Sequence, residues 1–152
     1  MSYYIGIDIG TSSVKAMLIN ENEIQNTISK DYPIYLSNGN YAEQNPEDWY
    51  RQSMLAMKEL LRDVDKSEVK AIGFCGQMHG LVLLDEKDEV IRPAILWNDG
   101  RSEKEVDYLN NKIGKDFLLD NTGNIAFAGF TAPKLLWVYN HCLLYTSDAA
   151  DD

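Results

Sequence analysis

The sequence predicts an α/β domain in which helices flank a mixed β-sheet. Three observations predict it: strand-like alternation near the N-terminus, an amphipathic helix with a clear start, and a short apolar run after that helix. A strand that follows a covering helix returns parallel to an earlier strand, so the sheet should contain a parallel pair. The 152-residue chain is 45% hydrophobic and 25% charged, which is ordinary for a globular domain.

The first predicted strand, residues 5–9, alternates isoleucine with glycine or aspartate. Successive side chains of a strand point to opposite faces, so the isoleucines form a buried face and Asp8 lies alone on the other. The turn Gly10-Thr11-Ser12-Ser13 follows, and a second strand resumes at Val14 to form a hairpin. Such a carboxylate can hold a hydrated Mg²⁺ while the turn receives phosphate oxygens. An ordinary glycine-rich hairpin with an exposed Asp8 is the alternative.

A third short strand over residues 23–29 completes an antiparallel meander, and residues 32–45 are predicted to be an exposed loop. The first helix has strong start signals, since Asn45 is a good N-cap and Pro46 suits the first helical position. Its apolar face should cover the sheet. The next predicted elements are a buried strand over 69–76 and two strands over 81–84 and 90–97. A helix is then predicted to start with a capping box at Ser102 and Glu105 and to stop near Gly114. A loop over 120–131 and a last helix over 133–141 complete the prediction.

The overall charge and the absence of targeting signals narrow the class of protein. A net charge of −10 argues against a nucleic-acid or acidic-membrane surface, because both require clustered Lys and Arg. Two cysteines provide no disulfide framework. No signal peptide or membrane-length apolar run is visible. The sequence therefore predicts a cytoplasmic protein with no nucleic-acid or membrane partner.

Two later segments carry side chains that suit a sugar. Residues 76–80 follow a predicted strand, and their Gln77 and His79 can both donate and accept hydrogen bonds. Residues 97–101 combine an aromatic ring with planar polar groups. The alternatives are a tight loop with a surface histidine and a turn in which Asp99 and Arg101 pair on the surface.

A zinc site is a rival interpretation of the sulfur and imidazole groups. Cys75, His79, His141 and Cys142 contain two thiols and two imidazoles, but neither pair has the spacing of a zinc finger. A buried free Cys75 in mid-strand is the favoured interpretation.

Six segments in order resemble the FGGY carbohydrate kinases, and within that family the members that phosphorylate xylulose. The segments are residues 5–15, 43–49, 76–80, 92–101, 122–124 and 129–137. The resemblance implies a ribonuclease-H-like (actin-like ATPase) domain. It also implies a second domain across a cleft, with the sugar mainly on the first domain and ATP mainly on the second.

The resemblance also implies roles for individual residues. Asp8 is expected to hold Mg²⁺ through water and to position the transferred phosphoryl group. The expected phosphate-binding residues are Gly10, Thr11, Ser12 and Ser13. The expected substrate contacts are Met78 and His79, joined in the pocket by Gln77, Trp97, Asn98, Asp99 and Arg101. The implied cofactors are ATP and Mg²⁺, the implied partner is a small sugar, and the full-length parent could form a homodimer.

The catalytic base of the family is an aspartate in a later glycine-rich segment, which this sequence does not contain. Residues 1–141 are therefore expected to be a truncated N-terminal kinase domain, and residues 142–152 a non-native tail. The full-length parent is expected to convert D-xylulose to D-xylulose 5-phosphate, and the fragment to be inactive. The alternatives are a kinase for another pentulose, a polyol or a sugar acid, and a non-catalytic sugar-binding or interaction module.

Overall fold

A computed structural model describes residues 2–21 and 23–142. These residues form two compact units, one made of residues 2–34 and 44–78 and the other of 35–43 and 79–142. Residues 143–152, which make up nearly all of the predicted non-native tail, lie outside the described part of the chain. Within that part, no helix is both long enough and apolar enough to cross a membrane.

The chain alternates strands and helices, as an α/β fold requires. The elements in chain order are β1 (Tyr3–Ile9), β2 (Ser13–Asn20), β3 (Glu23–Asp31), β4 (Tyr35–Ser37), β5 (Tyr41–Gln44), α1 (Pro46–Leu60), a 3₁₀ turn (Lys66–Glu68), β6 (Val69–Gly76), β7 (Ala94–Ile95), α2 (Glu103–Tyr108), a π-helical segment (Leu109–Gly114), α3 (Lys115–Thr122) and α4 (Thr131–His141).

The first unit is built on a four-stranded sheet with the order β3-β2-β1-β6. The pairs β1–β2 and β2–β3 are antiparallel, and β1–β6 is parallel. The predicted meander and the predicted parallel strand are therefore both confirmed. The crossover through α1 produces the parallel pair, because it returns the chain to the same end of the sheet.

Helix α1 covers the antiparallel part of this sheet. It begins as predicted, with the Asn45 side chain accepting a hydrogen bond from the Glu47 N–H and with Pro46 at its first position. Its inner side buries Ala56 and Leu60 against a core that includes Ile5, Ile7, Val14, Ala16, Leu18 and Tyr32. The strict alternation of β1 therefore produces the buried face that the sequence predicts.

The prediction that residues 69–76 form a buried strand is only half right. They form β6, but the strand lies at the sheet edge and its side chains are largely exposed. Ile72 is 45% exposed and Phe74 is 68% exposed, although the register aligns them with the buried Ile5 and Ile7. The reason is that α1 packs mainly over β2 and β3, which leaves this side of β6 uncovered in the described chain.

The second unit differs from the prediction in several places. Residues 32–45 contain the two short strands β4 and β5, where a loop was expected, and they join β7 in a three-stranded sheet. The expected strands over 81–84 and 90–97 are reduced to β7 and isolated bridges. The capping box is also wrong, because the Ser102 hydroxyl donates to Ala128 O instead of capping α2. Helix α3 extends into the expected loop, and α4 begins two residues before Pro133.

The exposure of β6 gives a test of the fold. We expect Ile7→Ala to lower the free energy of unfolding by about 2–5 kcal/mol, because it empties a fully packed site. Phe74→Ala should change it by less than about 0.5 kcal/mol, as for other surface positions. Urea denaturation of both variants, followed by far-UV circular dichroism, measures the difference. Equal losses would contradict the exposed position of Phe74.

Candidate functional site

Asp8 lies on the open face of β1, opposite its buried isoleucines. Its carboxylate is exposed, while Ile7 is only 1% exposed, which confirms the predicted division of the two faces. The backbone beside it is open, since a Cβ at Gly6 would meet no heavy atom within 4 Å. The Cys75 thiol, aligned with Asp8 across the parallel pair, hydrogen-bonds the carboxylate, and this contact raises the pKa of the thiol. Cys75 is exposed, so the prediction that it is buried is wrong.

Donors from elsewhere in the first unit fix the turn that follows Asp8. Tyr32 Oη donates to Gly10 O at 2.5 Å, and the Tyr32 N–H donates to Ser12 O at 3.2 Å. Gln44 Nε2 donates to Thr11 O at 2.7 Å. Because three successive carbonyl oxygens are held, the direction of the turn's hydroxyl and N–H groups is set before any ligand arrives.

Tyr32 remains a hydrogen-bond donor over a wide pH range. Its burial, and next the negative charge of Asp8, raise the pKa of the phenol to about 12. The ionised form would place a second negative charge near Asp8 and would lose the bond to Gly10 O. Tyr32 therefore clamps the turn at any physiological pH.

The side-chain amide of Gln44 connects separate segments of the first unit, and we call its four hydrogen bonds the Gln44 junction. It is 1% exposed and donates to Thr11 O and also to Pro33 O, at 3.2 Å. Its Oε1 accepts from Trp49 Nε1 at 3.0 Å and from Gln77 Nε2 at 3.1 Å. One buried side chain thus links the turn after β1, helix α1 and the segment after β6.

The start of the segment after β6 is tied to β1. The Gln77 N–H donates to Ile9 O at 2.9 Å, which extends the parallel pairing by one residue. Gly76 packs so closely on Ile9 that a Cβ there would lie 2.8 Å from Ile9 O. Met78 follows with a side chain that is 69% exposed. The predicted contact residue Met78 is therefore accessible, while the Gln77 amide is engaged with Gln44.

In the second unit, His79 is exposed and held from two sides. Its imidazole stacks on the Phe130 ring with centroids 4.5 Å apart and an interplanar angle of 19°. Its carbonyl oxygen accepts from Lys134 Nζ at 2.7 Å and from Thr131 Oγ1 at 3.3 Å. His79 also borders a cavity of about 350 Å³, whose other polar lining includes Asn124. The predicted substrate-contact histidine thus lies at a concave surface.

Asp99 and Arg101 form a buried ion pair beneath the segment 97–101. Arg101 Nη2 lies 2.8 Å from Asp99 Oδ2, and the Arg101 side chain is 1% exposed. Arg101 Nη1 also lies 2.7 Å from Glu43 Oε1, and the guanidinium stacks over Tyr41 at 4.0 Å. Asp99 additionally accepts from the Ala42 N–H at 2.6 Å. This network supports the segment from inside.

Trp97 and Asn98 are the members of that segment with exposed side chains. Trp97 is 46% exposed, and its carbonyl lies so close to Gly129 that a Cβ there would be 2.8 Å away. The sequence predicted one pocket wall from 97–101. The structure separates it into two accessible residues and a buried pair that holds them.

The residues fit a single hydrated Mg²⁺ better than a zinc ion. Within the described ranges, no three His, Cys, Asp or Glu side chains come together as a metal cluster, so Cys75, His79, His141 and Cys142 do not form the rival zinc site that the sequence analysis disfavoured. Asp8 offers an exposed carboxylate beside the open backbone at Gly6, which suits a cation that keeps most of its waters.

Sequence reasoning missed Gln44 and Lys134 as buried residues that hold the candidate site residues in place, and also the hydrogen bonds from Tyr32 to the turn. Gln44 lies in the segment 43–49, which was noticed only as a resemblance and a helix start. Lys134 stands among Pro133, Leu135 and Leu136, and a lysine in an apolar stretch is a signal that it could be buried. Nothing in the local sequence shows which carbonyl groups either residue reaches.

The mixed sheet, with a hydroxyl-rich turn after β1 and a parallel β1–β6 pair, defines an actin-like ATPase fold with the plan of a sugar kinase. The model of the N-terminal domain of the FGGY family of carbohydrate kinases matches residues 3–145. The chain belongs to this family.

Two relatives and one solved structure show how close the match is. The chain is 47% identical over 144 residues to the xylulose kinase of Bacillus subtilis (strain 168), covering 93% of this chain and 29% of that protein. It is 45% identical over 145 residues to the xylulose kinase of Escherichia coli (strain K12), covering 91% of this chain and 28% of that protein. A crystal structure from Brucella ovis, described as a xyloylose kinase, superimposes with a TM-score of 0.85 at 40% identity over 93% of this chain and 30% of that one.

The Gln44 junction predicts a large loss of stability when its amide is removed. We expect Gln44→Leu to lower the free energy of unfolding by about 2–4 kcal/mol, because each buried group left without a partner costs about 1–3 kcal/mol. The matched control, Gln25→Leu on exposed β3, should change it by less than about 0.5 kcal/mol. Chemical denaturation measures both. A Gln44→Leu loss below about 1 kcal/mol would contradict the junction.

Burial lowers the pKa of Lys134 to about 8, against an opposing effect of Asp99 and a reinforcing effect of Arg101. The unfolded chain keeps this proton until about pH 10.5 and therefore binds more protons than the folded chain between pH 8 and 10.5. The Lys134 contribution to the free energy of unfolding should rise over that window, as the penalty for burying a charge is relieved.

The measurement is the unfolding free energy of the unmodified chain minus that of Lys134→Met, at pH 7 to 10.5. This difference should increase above pH 8, whereas the same difference for the exposed Lys104→Met should stay flat. A flat difference for Lys134 would show that its pKa is not lowered.

Proposed function

We propose that this chain is the N-terminal part of a kinase that transfers the γ-phosphoryl group of Mg²⁺-ATP to D-xylulose, giving D-xylulose 5-phosphate. The observation that supports this most is that one chain carries both an exposed Asp8 beside an anchored turn and an exposed His79 at a cavity. The choice of xylulose rests on the relatives named xylulose kinase, which match over 91–93% of this chain.

On the phosphate side, Asp8 would hold Mg²⁺ through its bound waters. Bound there, the ion would supply positive charge to offset the negative charge that develops during phosphoryl transfer. The hydroxyls of Thr11, Ser12 and Ser13, with the turn amides that follow Gly10, would donate to the phosphate oxygens, because the Gly10 N–H already donates to Ser13 O. A turn already held at three carbonyl oxygens needs no reorganisation to do so.

On the sugar side, Met78 and His79 would contact the substrate, and Trp97 and Asn98 would supply a stacking ring and an amide. All four side chains are exposed in the described structure. The imidazole of His79 can donate to one sugar oxygen and accept from a hydroxyl, which is what orientation of a polyol requires. Asp99 and Arg101 would act from behind, by holding the segment that carries Trp97 and Asn98.

The chain spans 29% of the length of the Bacillus subtilis relative. We assign the general base that removes the proton of the sugar hydroxyl, and most of the nucleotide site, to residues outside this chain. Asp8 is a poor candidate for that base, because the same carboxylate is needed for the metal. On this proposal residues 142–152 replace the native continuation, and the 152-residue chain alone does not turn over.

A substrate panel tests the proposal. The full-length protein is assayed for ATP consumption with D-xylulose, other pentuloses, hexuloses, glycerol and gluconate. We expect the highest kcat/KM with D-xylulose. A higher value with glycerol or gluconate would assign the chain to another substrate, and no ATP consumption with any of them would overturn the kinase itself.

Two substitutions in the full-length protein should separate the metal role of Asp8 from the sugar-contact role of His79. Asp8→Asn should lower kcat by about 100-fold or more with little change in the sugar KM, because it removes the charge that holds the metal. His79→Ala should raise the sugar KM about 10-fold with a smaller change in kcat, because it removes a contact already present in the bound ground state. Steady-state kinetics with saturating Mg²⁺ measures both.

Lys104→Met on the exposed side of α2 is the control and should leave both constants unchanged. Near-normal turnover of Asp8→Asn would contradict the metal role of Asp8. An unchanged sugar KM in His79→Ala would contradict the contact role of His79.

A further inference from the structure

His79 has a backbone conformation that is uncommon for a residue with a side chain. Its φ is +64°, in the left-handed region that a residue with a side chain rarely adopts. A strained conformation persists only where its surroundings hold it. The structure around His79 must therefore supply that hold.

Lys134 supplies it from the inside of the second unit. Its side chain is fully buried, at 0% exposed, and Nζ donates to His79 O at 2.7 Å and to Gly129 O at 2.6 Å. Thr131 Oγ1 donates to the same His79 carbonyl at 3.3 Å. The buried ammonium group of Lys134, with its two carbonyl acceptors, joins two loops that lie far apart in the sequence. We call these two hydrogen bonds the Lys134 bracket.

Both loops carry residues of the proposed sugar site. One loop ends in His79, and the other places Phe130 against the imidazole of His79. The second loop also approaches Trp97, because Gly129 has no room for a Cβ beside Trp97 O. Lys134 thus hydrogen-bonds the main chain of His79, whose imidazole stacks on Phe130, and the main chain of Gly129, which lies against the Trp97 carbonyl.

A purely structural role does not require a lysine here. An ammonium group in a buried position carries a desolvation penalty, and an unbranched apolar side chain such as methionine would fill similar space without it. The position of Nζ shows what the amine adds: two directional bonds to main-chain oxygens, one of them on a strained residue.

We propose that Lys134 is a positioning residue for sugar binding, which holds His79 in its left-handed conformation and its imidazole on Phe130 at the edge of the cavity. The inference rests on the proposed function of His79 as a substrate contact. It adds a residue that does not itself touch the sugar.

The first test measures the position of His79 without reference to activity. The 152-residue chain is labelled with ¹³C-histidine, and the His79 ring signals are assigned by their loss in His79→Ala, since the chain contains two histidines. Stacking on Phe130 should shift the His79 ring protons upfield. In Lys134→Met, and more weakly in Thr131→Val, they should move toward the values of an exposed histidine. Lys104→Met should leave them in place.

The second test measures sugar binding in the full-length protein. Lys134→Met should raise the sugar KM by up to about 10-fold, which is no more than the effect expected from removing the His79 contact itself, while the ATP KM stays the same. Thr131→Val should change the sugar KM in the same direction by less. Since Thr131 is exposed, this variant keeps the test valid if Lys134→Met folds poorly.

The two tests distinguish the possible failures. In one outcome, the His79 signals move in Lys134→Met, but the sugar KM is unchanged both in Lys134→Met and in His79→Ala. This outcome would overturn the contact role of His79, and with it the role of Lys134 in binding. Unmoved His79 signals in both Lys134→Met and Thr131→Val would overturn the bracket itself. A lower thermal midpoint with unmoved signals and an unchanged KM would show a structural role only.

Discussion

The side-chain amide of Gln44 is the contact on which the first unit depends. A buried amide is tolerated only when its donors and acceptor are satisfied, and this one meets four groups from separate parts of the chain. Its bond to Thr11 O fixes the turn after β1, and its bond from Trp49 fixes the start of the covering helix. The open carboxylate of Asp8 lies directly before this anchored turn.

In the second unit, buried charged side chains hold the loops, as the Gln44 amide holds the turn in the first unit. Lys134 brackets His79 and Gly129, and Arg101 joins Asp99 to Glu43 beneath the segment of Trp97. In each case a buried polar side chain holds main chain or a loop, and the side chain of a neighbouring residue is exposed. Removing one partner of such a group is costly, because the other is left buried without a bond.

Short sequence patterns were sufficient to predict features that depend only on residues close together in the chain. The alternation of residues 5–9 predicted the two faces of β1, and Asn45 with Pro46 predicted the start of α1. Asp8 and His79 were found because each lies in a short motif at a strand end. Gln44 and Lys134 could not be found in this way, since Thr11 is 33 residues from Gln44 and His79 is 55 residues from Lys134. The apolar run of β6 predicted burial, but burial depends on what covers a strand, and α1 covers its neighbours instead.

The central claim is that the turn beside Asp8 receives the metal and phosphates of ATP. Paramagnetic broadening by Mn²⁺-ATP tests it in the full-length protein labelled at isoleucine methyl groups. Ile9 adjoins the turn, whereas Ile24 lies at the opposite end of the β2–β3 pair. We expect strong broadening of Ile9 and little of Ile24, and we expect Asp8→Asn to abolish the difference. Equal broadening of both methyl groups, or a pattern that Asp8→Asn leaves intact, would contradict the account.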